Sequence, residues 1–145
     1  MRGIPAESPV IVAGDFNATP DASEMLKFQT SGNFFDTYPL GGRSRQYTWD
    51  ATSNEGISFS TRMTGARGNA RDGYGYLDAL SGTQPRRIDY ICLSHHFKPE
   101  AVSDYRLVLD GIVNGIQASD HYGVFAEVDL TTVLQTATST TAVTI

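Results

Sequence analysis

The chain has 145 residues, with 11 Lys and Arg against 16 Asp and Glu and a formal net charge of -5. That length fits one domain or part of a larger one, and 40% hydrophobic with 10% aromatic residues is enough for a packed core, which excludes wholesale disorder. The acidic balance argues against a large nucleic-acid footprint, which needs a basic face, but leaves room for a local basic patch.

Cys92 is the only cysteine, so no intramolecular disulfide forms; within the run YICL it reads as a small buried hydrophobe. The opening MRGIPAES lacks the apolar stretch of a signal peptide, and no apolar run approaches the ~20 residues of a membrane-spanning helix. The compartment stays open.

In chain order, residues 9–13 (PVIVA) predict a short buried strand, followed by a loop over 15–20. Residues 21–30 predict a helix, with Asp21 as N-cap, Glu24 placed as in a capping box, and Gly32 as its stop. Residues 34–40 (FFDTYPL) form a short apolar segment ended by Gly41 and Gly42, and 46–49 (QYTW) predict a brief strand. Residues 50–85 are rich in Gly, Ser, Asn and Arg and read as a long loop, a length associated with function or disorder. Arg62, Arg67, Arg71 and the adjoining Arg86 are spread along it, against Asp50, Glu55, Asp72 and Asp78.

Residues 87–94 (RIDYICLS) predict a strand ending at His95 and His96, both read as surface residues. Residues 102–109 alternate moderately as a strand, and Asp110-Gly111 and Asn114-Gly115 are turn signals. Residues 122–130 (YGVFAEVDL) alternate clearly, with Val124, Ala126 and Val128 on one face and Phe125 and Glu127 on the other. The order of strand, helix, then mostly strands predicts an α/β sheet protein. Residues 1–130 read as a domain and 131–145 as a Thr- and Ser-rich tail.

Three apolar strands carry polar residues at or near their ends: Asp15 and Asn17 in GDFN, Asp89 in RIDYI, and Asp120-His121 before YGVFAEV. Rigid strand ends are common places for catalytic groups. Asp89 lies between Ile88 and Tyr90, where an unpaired buried charge is costly, so it needs a partner, and a histidine is a natural one.

GDFN, RRIDYI and SDHYGV, in that order, resemble the C-terminal motifs of the endonuclease/exonuclease/phosphatase superfamily, the pancreatic-deoxyribonuclease-like fold, over about residues 9–130. The resemblance implies the C-terminal half of a four-layer α/β sandwich, two packed β-sheets flanked by helices. It implies metal-dependent hydrolysis of phosphate esters by in-line attack of water. By that resemblance His121 acts at the scissile phosphate, and Asp89 hydrogen-bonds its other ring nitrogen. Asp15 orients or deprotonates the attacking water, and Asn17 donates its amide to a phosphate oxygen. Asp120, together with Asp15, is implied at the divalent ion, Mg²⁺ or else Mn²⁺ or Ca²⁺.

The family's N-terminal motifs, an early Asn, a metal-binding Glu and a second His, find no counterpart in the thirteen residues before GDFN. The expectation is therefore a truncated enzyme whose open sheet face is covered by an N-terminal half or by a second copy, and whose activity alone is slow or absent. An inactive interaction module is the alternative. The substrate is left undecided between nucleic acid, phospholipid and a small phosphodiester; QYTWD followed by Asn54 is reminiscent of sphingomyelinase-like members.

Overall fold

The computed structural model describes residues 8–41, 46–50, 53–54 and 85–133. Of the long loop, only its ends are among them, and Arg62, Arg67 and Arg71 lie outside. The described chain forms strand β1 (Ile11–Asp15), helix α1 (Ser23–Gly32), strand β2 (Phe34–Asp36), the one-turn helix α2 (Tyr38–Gly41), strands β3 (Asp89–Ser94) and β4 (Val102–Val108), the ribbon β5 (Ile112–Val113) and β6 (Ile116–Gln117), and strand β7 (Gly123–Val128). Two 3₁₀ turns, Pro99–Ala101 and Leu130–Thr132, precede β4 and follow β7. The result is a mixed sheet and helix fold in which every described strand pairing is antiparallel.

The first sheet has the order β1-β3-β2, and the second pairs β4 with β7. β3 lies at the centre because both its faces are apolar. Tyr90 and Cys92 turn towards α1, where Met25, Phe28 and Phe16 pack on them. Leu93, with Phe35 beside it in register, faces the second sheet and meets Phe97, Val102 and Val128. Described in layers, α1 covers one face of the first sheet and the second sheet covers the other. Val133, within the segment expected to be tail, also packs against this second cluster.

Several local expectations are corrected. The residue 9–13 strand is β1, shifted two residues on, and it is exposed rather than buried, with Ile11 49% exposed. Among the described residues it is an edge strand whose pairing partner is β3. Helix α1 begins at Ser23, and Ala22 occupies the N-cap without a side-chain cap bond. Asp21 instead accepts a hydrogen bond from the Thr19 hydroxyl at 2.6 Å, which holds its carboxyl below the usual range. Gly32 lies inside the helix, and the stop is Asn33, in the left-handed conformation with its N–H on the Gln29 carbonyl. QYTW makes only an isolated bridge, Trp49 to Arg86. His95 is exposed, but His96 is buried, its Nδ1 3.1 Å from the Ser94 hydroxyl.

A buried ion pair joins the end of β2 to the residues leading into β3. The Arg87 guanidinium meets the Asp36 carboxylate and lies between the rings of Tyr38 and Tyr90, 4.6 and 4.7 Å from their centroids. Asp36 also accepts from the Tyr38 amide at 3.0 Å, so the charge is satisfied on two sides. Cys92 is fully buried, as its apolar setting requires. The connection from β4 to β7 extends as the β5–β6 ribbon, closed at Asn114-Gly115 by two residues of positive φ (52° and 76°), the requirement of a tight type I′ turn.

Candidate active site

Three polar strand ends meet at one corner of the first sheet. β1 and β3 run antiparallel with Asp15 directly opposite Asp89. In such a pair the two side chains share a face. β1 continues past Asp15 because the Phe16 N–H donates to the Ile88 carbonyl at 2.8 Å. The chain then turns sharply: the Asn17 N–H donates to Asp15 Oδ1 at 2.7 Å, and Asn17 takes a φ of 49°. This local Asx turn is the physical content of GDFN, since Asn tolerates the left-handed conformation and Asp captures the following amide.

His121 arrives from the second sheet, two residues before β7. Its Nδ1 lies 2.8 Å from Asp89 Oδ2, in a half-buried pair. The carboxylate can only accept, so Nδ1 carries the proton. The histidine partner expected for Asp89 is therefore present. The Asp89 hydrogen bond raises the His121 pKa; partial burial opposes that rise, and the charges of Asp89, Asp120 and Asp15 reinforce it.

Asp15, Asp89 and His121 each present a ligand atom within 4.8 Å of the others. Asp120 is outside this group, although its charge acts on the imidazole, and its Oδ1 lies 3.4 Å from the Ser119 hydroxyl. Two carboxylates opposed across a strand pair, with a third nearby, repel one another, and the single imidazolium balances only part of that charge. Hard oxygen donors at an exposed corner with access for water fit a divalent ion of the Mg²⁺ type. Asn17 is exposed beside the group and has an amide to offer.

The supports of this corner are polar and unassigned from sequence alone; Thr48 and Asn54 are buried, and Ser53 is exposed. Thr48 accepts through its hydroxyl from the amides of Ile88 and Asp89, both at 3.1 Å. The Asn54 amide donates to the Ser119 carbonyl at 3.1 Å, and the Ser53 hydroxyl lies 2.9 Å from the Tyr122 hydroxyl. Their one sequence signal is a concentration of hydrogen-bonding residues at 48–54 next to an aromatic, which periodicity cannot interpret. Trp49 is half-buried, with the Arg86 guanidinium 5.8 Å from its ring centroid.

Two solved structures are similar to this chain. One is an endonuclease/exonuclease/phosphatase family protein from Leptotrichia buccalis C-1013-b (TM-score 0.52, 18% identity, 87% of this chain and 37% of that one). The other is a functionally unknown conserved protein from Enterococcus faecalis V583 (TM-score 0.54, 20% identity, 86% and 37%). The chain thus spans 37% of the length of each, and at these identities the likeness is one of fold. No protein with a curated description matches it. The model of the Endonuclease/Exonuclease/phosphatase family matches residues 1–121, most of the chain and a span that holds Asp15, Asp89 and His121, and the chain belongs to that family.

Proposed function

We propose that residues 1–130 supply the C-terminal half of a metal-dependent phosphodiester hydrolase with a four-layer sandwich fold, residues 131–145 being a tail. The observation that carries the reading is the convergence of Asp15, Asp89 and His121 from three separate stretches of sequence on one corner. Hydrolysis of phosphate esters is the general activity of the family, and the acid-and-imidazole group is suited to it. The exposed edge strand and the 37% coverage of the similar structures support an N-terminal half, or a second copy, completing the sheet.

Asp15 and Asp120 are the residues to hold a divalent ion, Mg²⁺ in the first instance. When bound, such an ion supplies positive charge that neutralises the phosphate oxygens. The remaining chemistry belongs to side chains. Asp89 fixes the imidazole with Nδ1 protonated and leaves Nε2 for the substrate. A raised pKa keeps that ring cationic to higher pH, which favours stabilisation of charge on the phosphoryl oxygens. The exposed Asp15 carboxylate orients or deprotonates the attacking water, and Asn17 donates its amide to a phosphate oxygen.

The test is Mg²⁺-dependent hydrolysis of bis-p-nitrophenyl phosphate by the chain alone and by the chain extended upstream through its reading frame. The extended protein is expected to turn over and to lose activity with His121→Ala, and the chain alone to be slow or silent. Turnover indifferent to His121→Ala would refute these roles. Absence of turnover in both would favour an interaction module.

One observation favours a phospholipid as the diester. The β5–β6 ribbon, which precedes His121 closely in the chain, exposes Ile112, Val113 and Ile116, which fall on both its faces, and residues 111–119 carry no charge. Faster release from phosphatidylcholine than from duplex DNA is the result expected on that reading, and preference for DNA the result against it.

A further inference from the structure

Thr48 belongs to the segment QYTWD, which the chemistry above leaves without a role. It is 0% exposed, and its hydroxyl and carbonyl bond the backbone on either side of the Asp89–His121 pair. Its hydroxyl accepts from two successive amides, Ile88 and Asp89, at the start of β3. Its own N–H donates to the Arg86 carbonyl at 2.9 Å. Its carbonyl accepts from the Tyr122 N–H at 2.7 Å, one residue beyond His121. One residue is therefore bonded to the backbone of Asp89 on one side and to the backbone next to His121 on the other. Asp89 and His121 lie 32 positions apart in sequence, and His121 stands outside any described strand, so no strand ladder sets their separation.

We propose that Thr48 is a positioning residue that holds the backbones of Asp89 and His121 at the spacing where their side chains meet. The assignment rests on the reading that this pair works in the site. Asn54, 2% exposed, reinforces the same segment from the other end through the Ser119 carbonyl. A valine at 48 would match the shape of threonine while taking the hydroxyl acceptor from the buried Ile88 amide and the part-buried Asp89 amide, a loss felt where they are rather than throughout the fold.

The experiment needs no turnover, so its failure is separate from failure of the proposed activity. Exchange with water is followed by NMR for the His121 Nδ1 proton, the Asp89 amide and the mid-strand Cys92 amide, in the wild-type chain and in Thr48→Val, Thr48→Ala and Thr48→Ser. Thr48→Val and Thr48→Ala are expected to speed the first two by about tenfold or more relative to Cys92, on the scale of a lost buried hydrogen bond. Thr48→Ser, which keeps the hydroxyl, is expected to restore wild-type rates. Equal acceleration at all three sites would show a general structural role and overturn the proposal. So would Thr48→Ser behaving like Thr48→Val, or failure of both hydroxyl-free variants to fold while Thr48→Ser is native.

Discussion

Asp15→Asn should stabilise the metal-free chain and remove its response to Mg²⁺. Asp15 and Asp89 are register partners whose ligand atoms lie within 4.8 Å of one another. Two negative charges at such a separation repel by about 1 kcal/mol in a water-like dielectric and by about 3–4 kcal/mol at an effective dielectric constant of about 20. Asp15 is exposed, so the lower figure applies. Asparagine retains the Oδ1 acceptor for the Asn17 amide, so the substitution removes charge and little else. A gain of about 1 kcal/mol raises Tm by about 3–4 °C in a chain of this size. The imidazole sets the conditions. While His121 is protonated, Asp15 attracts it as well as repelling Asp89, so the gain emerges fully only above the His121 titration. Thermal unfolding in EDTA at low salt measures it, and added NaCl should shrink it. Mg²⁺ should then raise the Tm of the wild type but not of the variant. A lower Tm for the variant in EDTA above the histidine titration, or an undiminished Mg²⁺ response, would refute the reasoning.

Arg87→Ala strands the buried Asp36 carboxylate and should cost about 3–5 kcal/mol in urea unfolding, with a cost under about 1 kcal/mol as the contrary result. The Asp89–His121 bond raises the folded-state imidazole pKa above its ordinary 6.5, so its contribution to stability is complete below that value and is lost as pH rises through the raised one. The stability difference between wild type and Asp89→Asn should shrink over that window, and a difference that grows with pH would contradict the assignment. Burial pushes the Cys92 thiol up to about 12, so thiol reagents should label the protein only on unfolding; rapid labelling of the native chain would show that β3 opens locally.

Much of this protein is decided close along the chain. The alternation of YGVFAEV specifies β7, the apolar run around Cys92 specifies β3, and Asn114-Gly115 specifies a two-residue turn, because strand periodicity and left-handed turn residues act over neighbouring positions. The need of Asp89 for a partner was also legible, since an acid between Ile88 and Tyr90 cannot remain uncompensated. The exposure of β1 was not, because PVIVA reads the same at the edge of a sheet as at its centre, and only the strand order β1-β3-β2 separates the two. His96 likewise became buried through Ser94 and the fold around it, which two adjacent histidines do not announce. The bracing of Asp89 and His121 by Thr48 and Asn54 belongs wholly to tertiary structure. Hydrogen bonds between residues 40 and 65 positions apart leave no periodic trace, and they exist only once the packing of two sheets has brought their backbones together.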